Sequence, residues 1–389
     1  MKKCLVVIVF VASMVAGCQK TEIYREAQTK MQFAGEIQKQ TKASGEEPSA
    51  ATETPIANLQ AQDFRVWAFQ NWDDPLTTET NEINSVYDKI SNLLITYKPA
   101  AGNVNAKWDT GKDYYWPGTG KSLKFYAVSS SNWTTDPEED DEIETVSITH
   151  TAGSTALGTM TIADFTVAPE ADNDLMVADA CIQMQDGSTA VDGVIVGNKV
   201  SQTFRHALTK VRFSFITTTT TTPVFVQSVT TTAMVNKGDL TVTFGNKIGF
   251  EWTDDDTEPF SDDCDTEIDF SAKEVTKVWL KDADEATPVA DLTDKDGITL
   301  DNGEYTPIDT WLMIPQSLAN KTVTITYILK DRQFSRTFPL AVSNDLTAWA
   351  PNQFVDYKVT IAPNMIDFDA TVEGWTEKEV FIDDATDSE

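Results

Sequence analysis

Apolar and polar side chains alternate along several short stretches of the chain. Clear examples are the sequences DFRVWAFQ, SLKFYAVS, KVRFSFITT, DLTVTFG, TVTITYIL and YKVTIAP. β-Branched or aromatic residues recur there at every second position, which buries one face of a strand and leaves the other in water. Turn signals such as QDGS, DKDG and DNG separate the stretches. The pattern predicts an all-β protein built as a pair of β-sandwiches.

Helical spacing occurs in one short stretch, Asn84–Leu94. Val86, Ile90 and Leu93 recur there at intervals of three or four residues, as on one face of an amphipathic helix. An irregular crossover between strands explains the same spacing equally well.

The amino-terminal residues read as a targeting signal rather than as part of the fold. Two lysines precede the apolar run Cys4–Ala16, which is too short for a stable membrane span. The sequence VAGC follows, with small residues before Cys18 as in a bacterial lipobox. We expect cleavage between Gly17 and Cys18 and acylation of Cys18, where two chains such as palmitate would anchor the protein stably. An ordinary signal peptide that ends at a cysteine is the alternative.

Length and charge narrow the class of protein. A chain of 389 residues favours two domains, because one core seldom organises so many residues. The net charge of −31 argues against nucleic acid and against anionic lipid surfaces as partners. Cys181 and Cys264 could pair in an oxidising compartment, although two unpaired thiols are favoured.

The composition shift near residues 197–203 suggests a domain boundary, because a strongly alternating stretch begins there. The predicted division is a signal peptide at 1–17, an anchor segment with the first strand at 18–42, an amino-terminal sandwich at 43–200 and a carboxyl-terminal sandwich at 201–389.

Residues that carry chemistry are scarce. The only histidines are His150 and His206, which leaves little room for a histidine-based triad or zinc site, and His206 is interpreted as structural. The acidic stretches Asp136–Glu144 and Asp254–Asp265 lack the glycine-containing pattern of a calcium loop and are interpreted as solvated loops. Nucleotide-binding and hydrolase motifs are also missing from the sequence. We therefore expect no enzyme, no metal and no cofactor.

Tryptophans in the first half of the chain leave a sugar-binding alternative open. Trp67, Trp72, Trp108, Trp116 and Trp133 could present rings on which a glycan stacks. Trp67 and Trp116 lie in apolar segments, however, where core packing is the simpler interpretation.

Six segments in a fixed order resemble the fimbrillin family of Bacteroidetes, the lipoprotein precursors of type V pilus subunits, especially its Mfa1-like and FimA-like branches. They are YYWPGTGKSLKFYAVSS, DLMVADA, VSQTFRHALTKVRFSF, WLMIPQSL, WAPNQFVDYKVTI and ATVEGW. The resemblance covers nearly all of the chain after the signal. It implies two tandem transthyretin-like β-sandwich domains with Greek-key-type connections, export as a lipoprotein, and polymerisation by strand exchange after cleavage by a trypsin-like protease.

The resemblance gives a role to the first strand. Met31, Phe33, Gly35 and Ile37 share one face at period two and would fill a groove in the amino-terminal sandwich. The Lys42–Ala43 bond matches the family's cleavage position. Release of the strand would open the groove to an extended segment of another subunit.

Other basic residues and another fate of the strand remain open. Lys39 is the next candidate for cleavage, and Arg25 is less suitable because it precedes the strand. Family members often carry arginine where this chain has Lys42. In the simpler alternative the strand stays permanently in the fold, and its lysines are ordinary loop residues.

The carboxyl-terminal residues Glu377–Glu389 provide a candidate donor strand with Val380 and Ile382 as alternate apolar residues, unless they form a frayed tail. The sequence therefore predicts a structural or accessory pilus subunit at the cell surface, anchored to the outer membrane by lipid. Its expected partners are other pilus subunits, a processing protease and a host protein or glycan. The alternative is a surface lipoprotein that does not polymerise and acts as a tip adhesin or glycan-binding module.

Overall fold

The computed structural model describes most of the chain between residues 29 and 374. The described ranges are 29–37, 63–72, 86–87, 90–102, 105–130, 146–151, 153–167, 174–219, 222, 224–245, 247–253, 266–269, 298–300, 303–329, 332–342, 346–362 and 366–374.

Within these ranges the chain forms strands and no helix, which confirms the all-β class. The strands are β1 Gln32–Ile37, β2 Phe64–Gln70, β3 Leu93–Lys98, β4 Lys107–Asp109, β5 Ser122–Ser130, β6 Val146–Thr149, β7 Thr159–Thr166, β8 Leu175–Ala178, β9 Cys181–Met184, β10 Ile195–Val196, β11 Lys199–His206, β12 Thr209–Thr217, β13 Val224–Met234, β14 Lys237–Thr243, β15 Gly249–Thr253, β16 Thr266–Asp269, β17 Ile298–Thr299, β18 Thr306–Met313, β19 Thr322–Leu329, β20 Arg332–Pro339, β21 Gln353–Ile361 and β22 Ile366–Gly374.

Four sheets organise these strands. The first sheet has the order β1-β11-β8-β5-β2-β3-β4, with β9 paired to β5 and β10 paired to β9. The second has the order β15-β14-β7-β6, the third β18-β12-β21-β22, and the fourth β16-β13-β19-β20 with β17 beside β13. Strands that are distant in sequence are thus neighbours in every sheet, so long-range pairing defines the topology.

The first and second sheets pack face to face as a sandwich. Trp67 and Tyr126 of the first sheet share a buried apolar cluster with Ile162 and Leu240 of the second. Burial of each large side chain contributes roughly 1.5–3 kcal/mol, which makes this cluster a main source of stability.

The third and fourth sheets enclose a separate apolar cluster with an aromatic stack at its centre. Phe213 stacks on Tyr357 with ring centroids 5.0 Å apart, and Tyr357 stacks on Phe368 at 5.3 Å. Trp349 Nε1 donates a hydrogen bond to the Tyr357 hydroxyl at 3.0 Å, so this buried polar group is satisfied. Burial raises the pKa of Tyr357 above its ordinary value.

The chain passes between the two sandwiches more than once. The boundary predicted at residues 200 and 201 falls inside β11, which pairs with β1 and β8 in the first sheet. β14 and β15 come later in the sequence and pair with β7. Gln316 links the two parts, because its side chain accepts a hydrogen bond from Val235 N and donates one to Val235 O, each 3.0 Å long.

The stretch with helical spacing contains no helix in its described residues. Ile90 is fully buried and Leu93 begins β3, so the apolar positions belong to a bend and a strand. A bend that returns the chain to the core produces the same three- to four-residue spacing as a helix.

The opposite face of the first sheet carries its own buried cluster. It is formed by Met31, Phe33, Phe64, Val66, Ala68, Ile90, Ile95, Tyr114, Trp116, Leu123, Phe125, Ala127, Met176, Ala178, Val200 and Phe204. Both faces of β2 and β5 are therefore covered, which explains their continuous burial. Two members of this cluster, Met31 and Phe33, belong to the β1 segment.

Candidate functional site

Main-chain hydrogen bonds hold β1 and the residues just before it to two different segments of the chain. β1 runs parallel to β11, with Gln32 opposite Lys199 and Ile37 opposite Phe204. Just before β1, Met31 N donates to Tyr114 O at 2.8 Å, and Trp116 N donates to Thr29 O at 2.9 Å. β1 is thus the edge strand of the first sheet, and the residues that lead into it are held by the segment 113–116.

The side chains that point inward from β1 meet aromatic partners. Met31 is 3% exposed and Phe33 is 6% exposed. The Phe33 ring meets Phe125 edge to face, with centroids 6.3 Å apart, and Phe125 meets Trp116 in the same way at 5.9 Å. Both side chains of the predicted inward face are therefore buried in the unprocessed chain. Its apolar contacts match those of a permanent core strand.

The second half of the strand fits less closely. Gly35 and Ile37 are half-buried. Gly35 lies opposite Gln202 of β11, and Ile37 lies opposite Phe204. Gln202 is fully buried, its Nε2 lies 3.8 Å from Cys181 Sγ, and its Oε1 lacks a partner among the described residues. The groove is therefore apolar at the Met31 end and carries an amide near its centre.

Polar contacts mark the rim of the groove. Lys30 Nζ lies 2.5 Å from Asp113 Oδ1, with about half of each side chain exposed to solvent. This contact raises the pKa of Lys30 and lowers the pKa of Asp113. Toward the other end, Thr203 Oγ1 donates to Glu36 Oε1 at 3.0 Å. These groups fix the position of the strand, while the buried face provides most of its binding energy.

This arrangement holds an extended segment by main-chain pairing along β11 and by apolar contacts beneath it. Removal of β1 would uncover Val200, Phe204, Phe125 and Trp116 together with the free main-chain edge of β11. An edge of this kind accepts another strand by main-chain pairing, and the pockets select the side chains at alternate positions.

Titratable groups cluster elsewhere, beneath the loop 151–158. Lys124 is fully buried, and its ammonium donates to the carbonyls of Thr151 at 2.7 Å and Ala156 at 2.5 Å. Burial lowers the pKa of Lys124. Burial and, to a smaller extent, the Lys124 charge lower the pKa of His150 to about 4. The Tyr126 hydroxyl donates to Leu157 O at 2.6 Å, and burial raises its pKa. These groups attach the loop to β5.

The other histidine is also structural. His206 lies in β11, and its Nδ1 is 2.7 Å from Asp174 Oδ2, with both side chains buried. In the part of the chain that the structure describes, no three His, Cys, Asp or Glu side chains are grouped so that they could hold a metal ion.

Cys181 and the tryptophans bear on two other predictions. Cys181 is a free cysteine, and burial raises its pKa to about 12. Trp67 and Trp116 are buried, which favours core packing for these two rings over sugar stacking. Trp72 and Trp108 are half-buried beside the cluster that contains Met31 and Phe33.

Several predicted sites fall outside the described residues. They are the lipidation and signal-peptidase site at Gly17 and Cys18, the basic residues Arg25, Lys39 and Lys42 with Ala43, the cysteine Cys264, the ring of Trp133, and the donor-strand residues Val380 and Ile382. The structure therefore brings together Met31, Phe33, Gly35 and Ile37 only.

A family model described as fimbrillin-like matches residues 51–375, which is most of the chain. The chain belongs to the fimbrillin-like family. The resemblance seen in the sequence is thus confirmed, and this fimbrillin-like chain is a member of a family of structural fimbrial proteins, not of enzymes. A fimbrial role and a location at the cell surface follow from that membership.

Solved structures extend the likeness of the fimbrillin-like chain to the fold. A fimbrial protein from Bacteroides vulgatus matches with a TM-score of 0.53 and 17% sequence identity, covering 89% of this chain and 99% of that one. A candidate cell adhesion protein from Bacteroides uniformis matches with a TM-score of 0.45 and 14% identity, covering 90% of this chain and 99% of that one. At 17% identity the likeness to the Bacteroides vulgatus protein concerns the fold alone. Among curated proteins, no sequence matches significantly.

Two parts of the groove were not found by sequence reasoning. The segment Tyr114–Trp116 of the fimbrillin-like chain was recognised as a family feature, but its pairing with Thr29 and Met31 was not predicted. Gln202 carries a sequence signal that was not used, because it lies between Val200 and Phe204 at period two and alternation therefore places it on the inward face of β11. As a separate finding, the described residues include no helix of the length and apolarity needed to cross a membrane.

Proposed function

We propose that the chain is a structural or accessory pilus subunit that is exported as a lipoprotein and assembles by protease-triggered strand exchange. The main support is the position of β1, which pairs with β11 at the edge of the first sheet and covers an apolar groove with only a few side chains. Cleavage at Lys42 would disconnect this strand from everything that follows it.

The energetics of the strand favour exchange over simple loss. Burial of Met31 and Phe33 contributes roughly 1.5–3 kcal/mol for each side chain, in addition to main-chain pairing. Departure of β1 would leave this surface and the β11 edge open to water, which is unfavourable. A replacement strand with apolar residues at alternate positions would restore both the apolar burial and the main-chain pairing. Val380 and Ile382 provide such a pattern.

Limited trypsin digestion of the chain lacking residues 1–18 tests the processing step. We expect a new amino terminus at Ala43 and ladders of multimers that resist sodium dodecyl sulfate. Lys42→Gln should prevent both results, while Lys39→Gln, as the matched control, should leave both unchanged. Deletion of residues 377–389 should permit cleavage and abolish the ladders. A protein that stays monomeric after proven cleavage at Lys42 would overturn the proposal.

The lipid anchor has its own test. The sequence VAGC before residue 19 supports acylation of Cys18. Expression of the full chain in bacteria fed labelled palmitate should give a labelled membrane-bound protein, and Cys18→Ser should remove the label. Cys4→Ser provides the matched control, because this cysteine lies at the start of the apolar run. Label retained in Cys18→Ser would contradict the assignment.

A further inference from the structure

The centre of the groove contains an unsatisfied amide. Gln202 is fully buried and shares the inward face of β11 with Val200 and Phe204. Its Nε2 contacts Cys181 Sγ, while its Oε1 has no hydrogen-bond donor among the described residues. Gly35 is the residue directly opposite. A buried carbonyl oxygen without a donor is destabilising, and β1 presents no side chain there that could supply one.

We propose that the groove is completed by residues Thr376–Ile382 of a second copy, running antiparallel to β11 with the Lys378 ammonium donating to Gln202 Oε1. This inference rests on the proposed strand exchange and adds the direction, the register and the contact at Gln202. β1 is then a temporary occupant with a defect at Gly35, and the incoming strand repairs that defect.

The register follows from the burial of β1. Val380 takes the position of Phe33, and Ile382 takes the position of Met31, so the two deepest pockets both receive branched aliphatic side chains. Alternation then brings Lys378 to the position of Gly35, opposite Gln202. An ammonium group has three donors and no acceptor, which suits an orphaned carbonyl oxygen. The aliphatic stem of the lysine packs in the half-buried space that Gly35 leaves.

A second contact agrees with this register. Thr203 Oγ1 donates to Glu36 on the outward face of β1. In the antiparallel register Glu377 takes the position of Glu36, so the same hydroxyl again faces a glutamate. The contact that orients β1 is thus reproduced by the incoming strand.

The parallel register is less favourable. It also places Val380 and Ile382 in the two deep pockets, with the two exchanged. However, it brings Asp384 opposite Gln202 and Ala385 to the position of Glu36. A carboxylate offers only acceptors at neutral pH and cannot satisfy a carbonyl oxygen. The Thr203 contact is lost as well.

Disulfide trapping tests the direction and the partner. Two trimmed chains are mixed in a Cys264→Ser background, one carrying Thr203→Cys and the other Glu377→Cys. Opposed positions on neighbouring strands bring Cβ atoms close enough for a disulfide. We expect a covalent dimer on a non-reducing gel. The matched pair Thr203→Cys with Ala385→Cys should give none.

The outcomes separate the inference from the proposed function. If ladders form but only the pair of Thr203→Cys with Ala385→Cys gives a disulfide, the antiparallel register is overturned. The proposed strand exchange would then still stand. A chain carrying both Thr203→Cys and Glu377→Cys that closes a disulfide within the monomer would overturn the second-copy partner. Trimmed protein that forms no ladder would overturn both.

A double-mutant cycle tests the contact itself. Lys378→Met should slow ladder formation by about tenfold, because a hydrogen bond to a charged group is lost while the side-chain length is kept. Lys378→Arg, which retains a charged donor, should stay close to the unchanged chain. In a Gln202→Leu background, Lys378→Met should have no further effect. An equal slowing in both backgrounds would overturn the contact.

Discussion

Phe33 and Phe125 meet edge to face, with ring centroids 6.3 Å apart and an angle of 79° between the planes. This contact joins the first strand to the centre of the first sheet, because Phe125 lies on β5 and also contacts Trp116. The first strand of the unprocessed chain is thereby part of the core.

Phe33→Ala should lower the free energy of unfolding of the unprocessed chain by about 3–5 kcal/mol, since it removes a large ring from a buried cluster. Urea denaturation measures the change. Gln32→Ala on the exposed face of the same strand is the control and should stay within about 0.5 kcal/mol. Equal stability of the two variants would contradict the burial of β1.

Gly158→Ala should destabilise the loop next to β7. Gly158 has a φ of +76°, and a Cβ there would clash with the Thr149 carbonyl. We expect the free energy of unfolding to fall by about 2–4 kcal/mol, because the new side chain strains residue 158 and displaces the backbone at Thr149. Gly187→Ala is the matched control, because its φ is +82° but its Cβ would meet nothing within 4 Å. Thermal unfolding should show that the control loses clearly less stability, about 1 kcal/mol.

Lys124→Met should destabilise the first sandwich by about 1–3 kcal/mol, because the carbonyls of Thr151 and Ala156 lose their buried donor. Hydrogen exchange should show faster opening of residues 151–158. Lys107→Met is the control, since the Lys107 pair with Asp109 is exposed and should contribute less than about 1 kcal/mol. Unchanged exchange in the loop would contradict the role of Lys124.

Stability should fall at acid pH through His150. Burial, together with the Lys124 charge, lowers its pKa to about 4 in the folded chain, below the ordinary 6.5. The unfolded chain therefore binds the proton more readily, so this contribution is fully present above pH 6.5 and is lost as the pH falls toward 4. When the pH falls from 7 to 4.5, the free energy of unfolding of the unchanged chain should decrease by about 1–2 kcal/mol more than that of the His150→Gln variant. Urea titrations at both pH values measure this difference, and equal losses would contradict the prediction.

The local pattern of the sequence was sufficient for the class of fold and for the faces of the strands. Met31 and Phe33 were assigned inward from alternation alone, and the structure places both in the core. The same reasoning left the stretch Asn84–Leu94 open, because periodicity over so few turns does not distinguish a helix from a bend. Burial of Ile90 and the start of β3 at Leu93 decided that case.

Strand neighbours could not be read from the sequence, because main-chain hydrogen bonds form between any two strands of suitable pattern. β1 pairs with β11 across more than 160 positions, and β14 pairs with β7 rather than only with its sequence neighbour β15. No residue near either strand specifies such a partner. The partner of each strand is selected when the apolar faces of all the strands pack together at once.

Alternation, charge and targeting residues are properties of short segments, so the sequence alone determined an all-β chain, a strongly acidic surface, a candidate lipobox and a first strand with one apolar face. Only the tertiary structure brought Gly35 opposite Gln202 and paired Tyr114 and Trp116 with the residues just before the strand. These contacts join residues that are far apart in sequence. Their energy depends on burial, which exists only after the sheets have packed together.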